Sequence, residues 1–435
     1  GPFEHTNTGS WSSGQGRINS IIVDPNSPTT YYSGAPAGGI WKSINSGSTW
    51  SPLSDDLPQI GVSGIAIDPS NSDIIYIATG DDDAADSYSV GVMKSTNGGI
   101  TWNPTGLNAS NSPFSMNDIY IHPTETNILW LATNKGVYKT INGGLTWNLI
   151  NVNLAGGNTV GTDFAGLFFI NDIVAWNHLD WDGLGNDRTE IFIGVGTHRY
   201  GDAANPTNYL GFQNAGLYRS IDDGSNWSRI ESSNFELAGW NGYFIVPNDF
   251  EISEDNTLWM GSIRTPGTNS GGGKIFSSTN GSTWTEAGAS PLPNSSRVEL
   301  AVSSTNASKL FALTEGTTNA GPHIYATTDA FTKPLNDPSP ETYELAKPSD
   351  ADTGIPANDF TRGQDFYNLV IEVDPTNDNI VYVGGIDLFR STNSGTSWSQ
   401  ISKWSNNPGL SALTCSLVHA DQHAFTFRPG NTNQA

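Results

Sequence analysis

Short alternating segments of apolar and polar residues recur along the whole chain, each closed by Gly, Pro, Asn or Asp. Gly38-Gly-Ile-Trp-Lys42, Gly136-Val-Tyr-Lys139, Gly216-Leu-Tyr-Arg219 and Leu388-Phe-Arg390 are examples rich in β-branched and aromatic residues, and this alternation predicts strands. No segment shows a sustained helical period.

After each of these strands comes one short phrase ending in Trp. Ser43-Ile-Asn45-Ser-Gly47-Ser-Thr-Trp50 is the first copy, and copies at Ser95 to Trp102, Thr140 to Trp147, Ser220 to Trp227 and Ser391 to Trp398 keep its spacing. The copy from Ser278 to Trp284 is one residue shorter, and Thr327-Thr-Asp329 keeps the position without Gly or Trp. The phrase reads as a hairpin turn: Asn or Asp accepts backbone N–H bonds, Gly takes a positive φ, and Trp opens the next strand and covers the turn. Upstream lies a second repeated signal, a strand running into a Pro turn, at Ile21-Ile-Val-Asp24-Pro25, Ile65-Ala-Ile-Asp68-Pro69, Ile119-Tyr-Ile-His122-Pro123, Ile371-Glu-Val-Asp374-Pro375 and Phe425-Thr-Phe-Arg428-Pro429.

One unit is therefore four strands at a period of roughly 45 to 80 residues, the blade of a β-propeller. The prediction is an all-β chain, a single propeller over 1–435 with four-stranded antiparallel blades near 17–56, 62–107, 116–151, 163–232, 247–289, 297–339 and 366–404. Residues 418–435 start an eighth blade or supply a closing strand, so the count is seven or eight; the turn at Arg428 to Asn433 favours a chain that continues.

Composition narrows the function. Nineteen Lys and Arg against 43 Asp and Glu give a net charge of −24, a field opposite to what phosphate backbones require, which excludes nucleic-acid partners. No apolar run is long enough to span a bilayer, and residues 1–20 hold no signal-type stretch. The single Cys415 rules out an internal disulfide framework and a Cys-based zinc site. A surface made soluble by Asn, Ser, Thr and Gly with excess carboxylate points to a secreted or cell-surface bacterial protein.

The Trp phrase resembles the Asp box, or bacterial neuraminidase repeat, with Asn standing for Asp in most copies. The chain is similar over nearly its whole length to the sortilin-like and xyloglucanase-like propellers that carry it. The resemblance implies the architecture and says little of function, because these boxes lie in peripheral turns. Sialidases of this kind use three Arg, a Tyr nucleophile with a Glu base, and an Asp acid after a Phe-Arg-Ile-Pro segment; here only Gly16-Arg17-Ile18 stands on the first strand. Propeller xyloglucanases carry a catalytic Asp just before a Gly-Gly turn of the first blade, where this chain has Ala35-Pro36-Ala37-Gly38-Gly39 and no carboxylate. A sortilin-like peptide receptor is weakened by the lack of a following Cys-rich domain.

Several constellations carry possible chemistry. The loop Asp81-Asp82-Asp83-Ala-Ala-Asp86 concentrates carboxylates that repel unless a hard cation such as Ca²⁺ neutralises them. Asp180, Asp182, Asp187 and Glu190 form a second Ca²⁺ candidate, with spacing unlike an EF-hand. His419, Asp421 and His423 share one face of a strand and, with Arg17, are candidates for lining the channel, although such a triad extends over about 13 Å. Trp176, Trp181, Tyr200, Tyr209, Trp240 and Tyr243 cluster in the long insertions around the fourth blade and suit sugar stacking or protein anchoring. No catalytic residue is nominated and no organic cofactor is called for. The reading is a propeller that binds a polysaccharide or surface protein through loops on one face without catalysis, as one module of a longer chain; the alternative is a polysaccharide-degrading glycoside hydrolase or lyase with its site at the channel mouth.

Overall fold

In a computed structural model the described residues are 18–36, 38–57, 61–81, 89–108, 116–133, 136–150, 170–196, 215–265, 268, 270–317, 321–339, 341–366, 368–405, 409–418, 420, 422, 425 and 427. They form seven four-stranded antiparallel sheets, each with its strands in sequence order, and a two-stranded parallel pair of Ser402–Lys403 with Ser416–Leu417, and no helix is found among them. The seven sheets are the blades of a seven-bladed β-propeller. Their first strands are Ser20–Asp24, Val62–Ile67, Met116–Ile121, Ile170–His178, Val246–Ile252, Ser295–Val302 and Val370–Val373. Each first strand packs against the next blade's first strand in order around the arc from blade 1 to blade 7. The eighth-blade start has no sheet of its own among the described residues. Instead Gln422 N donates to Gly385 O at 3.0 Å, and the rings of Phe425 and Phe427 lie 4.7 and 5.6 Å from that of Tyr382, along blade 7.

The core lies between blade faces. Trp130, Ile193, Tyr218 and Trp227 fill the space between blades 3 and 4, and Phe192, Phe250, Phe276 and Trp284 that between blades 4 and 5. Sheets come close enough that a Cβ on Gly261 of blade 5 would sit 2.6 Å from Val298 O of blade 6, so only Gly fits there.

The Trp phrase folds as its residues dictate. In blade 2, Gly99 N donates to Ser95 Oγ at 2.8 Å and Thr101 N to Asn97 Oδ1 at 2.9 Å, while Gly98 and Gly99 take φ of 68° and 89°. Trp102 Nε1 then donates to Leu53 O of the connection before the blade. In the copy without Gly or Trp the turn survives: Phe331 N donates to Thr327 Oγ1, Ala330 and Phe331 carry the positive φ, and the buried Phe331 ring takes over the cover.

A lysine just ahead of the phrase joins each of blades 1, 2 and 3 to the blade that follows. Lys42 Nζ donates to Gly98 O at 3.2 Å, Lys94 Nζ to Gly143 O at 3.1 Å, and Lys139 Nζ to Asp223 O. Each ammonium also lies over an aromatic ring of its own blade: Tyr32 at 5.0 Å, Tyr76 at 4.9 Å and Trp130 at 5.5 Å. At the inner edge a second clasp repeats, in which Asn117, Asn171 and Asn248 donate through Nδ2 to Ile170 O, Pro247 O and Val298 O of the following blade.

Candidate functional site

The antiparallel order sorts the loops onto two faces. Turns after the first and third strands, with the Pro turns and Trp phrases, open on one face; the hairpins after the second strands and the connections between blades open on the other, the loop face.

This sorting divides the aromatic set read from sequence. Trp176 belongs to neither face: it is fully buried, its Nε1 donates to Asn256 O at 3.0 Å, and its ring meets Phe192 edge-on at 6.3 Å. It is a core residue, because position 176 falls on a strand facing blade 5, and it presents no surface to a ligand. Trp181 is 43% exposed on the turn face, under the Arg188 guanidinium at 4.2 Å. Trp240 and Tyr243 lie on the loop face, in the connection between blades 4 and 5, with rings 5.6 Å apart. Trp240 is 39% exposed and lines an open cavity of 430 Å³ with Ser233, Glu236, Leu237, Ala238, Gly239 and Asn241. Tyr200 and Tyr209 lie outside the described residues, as do Arg17, His419, Asp421 and His423.

The second acidic loop is organised by its own backbone. Asp180 Oδ1 accepts from Gly185 N, Asp182 Oδ1 from Leu184 N at 2.9 Å, and Asp187 Oδ1 from Asp180 N at 3.0 Å. The bond from the Asn186 amide leads the causes that hold the Asp182 carboxyl below the usual carboxylate range. Glu190 departs further from the calcium expectation. It is fully buried, bound by Arg219 Nε at 2.6 Å, Arg188 Nη2 at 2.5 Å and His178 Nδ1 at 2.8 Å, so two guanidinium groups already neutralise it. In the first acidic loop Asp81 is buried and accepts from Asn19 Nδ2 at 3.3 Å; Asp82, Asp83 and Asp86 lie outside the described residues. Among the described residues no three acidic, His or Cys side chains are gathered to hold a metal ion.

Two carboxylate groupings escaped the sequence reading. The first lines the inner strands of blades 4 to 7. Asp172 Oδ2 accepts from Phe250 N at 2.9 Å, Asp249 Oδ2 from Leu300 N at 2.6 Å, and Glu299 Oε1 from Arg297 Nε at 2.7 Å. Glu251 and Glu372 stand beside them. Burial, with repulsion from Glu299, pushes the Glu372 carboxyl up to about 7; burial, then Asp249, Glu372, Asp172 and Glu299, pushes Glu251 well above the usual range. A signal existed: an acidic residue follows Asn117, Asn171 and Asn248 each time.

The second grouping lies on the loop face at blades 5 to 7. Arg264 Nη2 pairs with Glu315 Oε1 at 2.7 Å, and Glu315 Oε2 is buried without a hydrogen-bond partner. The 345–368 connection brings Asp365 beside it, where Asp365 Oδ2 accepts from Gly316 N at 2.8 Å. Burial, then repulsion from Glu315 and Asp359, raises the Asp365 carboxyl to about 6. His323 Nδ1 and Glu344 Oε1 are 2.6 Å apart on the same blade 6. A carboxylate paired with a guanidinium next to a carboxyl group that keeps its proton in mild acid is an arrangement able to work as acid and base.

No protein-family model matches the chain. A protein named xyloglucanase from a Paenibacillus species is 26% identical over 312 residues, which is 65% of this chain and 27% of that protein. The fold is similar to the crystal structure of a GH74 enzyme from Niastella koreensis, with a TM-score of 0.56 and 22% identity over 88% of this chain and 54% of that one. The GH74 xyloglucanase from Xanthomonas campestris gives 0.54 and 18% over the same shares. The chain thus spans about half the length of the enzymes whose fold it shares, and about a quarter of its sequence relative. It is a β-propeller similar over part of its length to a protein named xyloglucanase. No helix among the described residues is long and apolar enough to cross a membrane.

Proposed function

We propose that this propeller acts on a polysaccharide, as the glycan-holding part of a glycoside hydrolase exported from the cell. The observation that carries the reading is the 26% identity to a protein named xyloglucanase over 312 residues. The loop face supplies what such a role needs. Trp240 offers a flat apolar surface for a sugar ring, and Glu236 and Asn241 beside it offer groups for hydroxyls. Glycoside hydrolysis requires one carboxyl group to protonate the leaving oxygen and a second to activate water or attack the sugar. Asp365, raised to about 6, is the acid in this reading, and Glu315, positioned by Arg264, is its partner. Ca²⁺ at the Asp81 to Asp86 loop belongs to the same proposal.

The test is release of reducing ends from xyloglucan and related β-glucans at pH 5 to 6. Asp365→Asn should lower kcat by 10² to 10⁴, in the range of about that size for loss of a general acid, with substrate retention unchanged. Equal turnover in the variant would remove Asp365 from the mechanism.

A second reading has its own support, since the stretch at Ala35 to Gly39 lacks the carboxylate that the xyloglucanase resemblance implies. In that reading the Trp240 surface binds glycan or protein without turnover. Retention of polysaccharide with no product, abolished by Trp240→Ala, would favour it. Weakening by a chelator would assign Ca²⁺ a structural part in either case.

A further inference from the structure

The 345–368 connection crosses the loop face as a strap over blades 6 and 7. Its blade 6 attachment is the bond from Gly316 N to Asp365, with Gly321 packed against Asp359. On blade 7 it is tied to the hairpin 384–388: Ile386 N donates to Phe360 O at 3.2 Å, and Gly385 packs on Phe360 and Thr361. Its other tie to that hairpin is unusual, because two acids make it.

Asp350 of the strap and Asp387 of the hairpin are brought together on one side chain, the Gln400 amide. Asp387 is fully buried and Asp350 is 8% exposed. Gln400 Nε2 sits 3.0 Å from Asp387 Oδ2 and 3.4 Å from Asp350 Oδ1, and its Oε1 accepts from Ala351 N at 2.8 Å. Ser402 Oγ donates to Asp387 Oδ1 at 2.7 Å, and Asp352 N to Asp350 Oδ1 at 2.7 Å. Asp350 Oδ2 is buried and receives no N–H or Ser, Thr or Tyr hydroxyl. The remaining charged or titratable groups nearby are Asp352 on the strap, Lys403 on the strand Ser402–Lys403, and Cys415 next to the strand Ser416–Leu417. Lys403 Nζ is directed to Leu413 O at 3.1 Å, and Asp352 Oδ2 accepts from Trp404 Nε1 at 3.1 Å.

We propose that the Asp350–Asp387 contact is a proton-operated latch, holding the strap across blades 6 and 7 in acid and releasing it in alkali. With one proton the pair is a hydrogen bond; without it, two buried carboxylates held by the same Gln400 amide repel. The electrostatics agree, since burial, the largest cause, lifts Asp387 to about 7 and Asp350 above its ordinary value. Because the strap carries Asp365, opening would also disperse the proposed acid. That consequence rests on the hydrolase reading, whereas the latch itself does not.

The experiment is amide hydrogen-exchange protection of the strap backbone in the full chain between pH 5 and 8.5, corrected for intrinsic exchange. Protection of 345–368 in the wild type should fall by up to about tenfold for each pH unit from pH 5 to about 7, where the closed strap keeps a proton that the open strap gives up, and level off above that, while the strand Leu310–Gly316 keeps its protection. Asp387→Asn should hold its protection to pH 8.5, because the amide donates to Asp350 without titrating. Asp350→Asn should behave in the same way. A flat wild-type profile, or the same fall in both variants, overturns the latch. Recovery of protection at pH 8.5 on adding millimolar Ca²⁺ would overturn it too, by showing that a cation rather than a proton bridges the pair. No step reads turnover, so a failed hydrolase assay leaves the outcome distinct.

Discussion

At the scale of single residues, the Asn or Asp of the Trp phrase is held by a side chain further along the turn. Asn97 accepts from Thr101 N and donates through Nδ2 to Thr101 Oγ1 at 2.9 Å; Asn45, Asn142 and Asn393 do the same to Thr49, Thr146 and Ser397. Asp222, the one intact Asp of the in-register copies, has no donor and faces Asn226, whose amide donates to it at 2.7 Å. The hydroxyl at position 7 of the phrase accepts from Asn and can equally donate to Asp, as Thr332 Oγ1, one position earlier in its copy, does to Asp329 Oδ2 at 2.9 Å. Asn97→Ala should cost about 1 kcal/mol or more of unfolding free energy, the usual size of a lost hydrogen bond, whereas Asn97→Asp should cost less because Thr101 turns its hydroxyl to donate. A urea midpoint for Asn97→Asp as low as that for Asn97→Ala would refute this. Lys94 acts across blades, since its ammonium both donates to Gly143 O and lies over Tyr76. Lys94→Met should cost about 1 to 2 kcal/mol through those two contacts, measured by the same denaturation.

At the scale of elements, the first hairpin of blade 4 is locked to blade 5 by the buried Glu190 network, in which Arg219 also reaches Ser282 of the neighbouring Trp phrase. Gly281 leaves the room for this, because a Cβ there would lie 2.7 Å from Glu190 Oε2. That phrase is the copy with a residue missing. Glu190→Gln should destabilise by about 3 kcal/mol, the usual penalty for stripping a buried ion cluster of one partner. An unchanged thermal midpoint would show the network to be spectator charge. These pairings were not legible in sequence, where Glu190 looked like a calcium ligand, because its partners Arg219 and His178 come from other strands.

At the scale of the whole molecule, the carboxyl groups divide into two populations with opposite pH linkage. Asp68, Asp222, Asp329 and Glu190 are held low by hydrogen bonds that outweigh burial, so the stability they contribute is lost as pH falls through their folded values. Asp365, Glu372 and Asp387 are raised by burial to about 6, 7 and 7, so the folded state keeps protons that the unfolded chain gives up, and stability declines as pH rises from about 4 through 7. The melting temperature should therefore peak near pH 5 and fall towards pH 8; a plateau extending to pH 8 would contradict it. A net charge of −24 adds self-repulsion, so added NaCl at pH 8 should raise the melting temperature.

The division between what the chain announces and what folding decides follows from distance along the sequence. Strand alternation, the Pro turn and the Trp phrase are contacts among neighbours within one blade, so the four-strand unit and the propeller were legible from residue order alone. The phrase at Ser95 to Trp102 makes its turn bonds within itself. The carboxyl groupings of this protein are instead assembled between blades. Trp176 and Trp240 look alike as aromatic residues in one long insertion, yet one faces the next blade and the other faces solvent, a difference set by which side of a strand or connection each falls on once seven sheets are packed. Asp350 with Asp387, and Glu315 with Asp365, stand 37 and 50 positions apart. Only the closing of one blade against another removes water from such pairs, and that desolvation is what turns ordinary carboxylates into groups that hold a proton near neutrality.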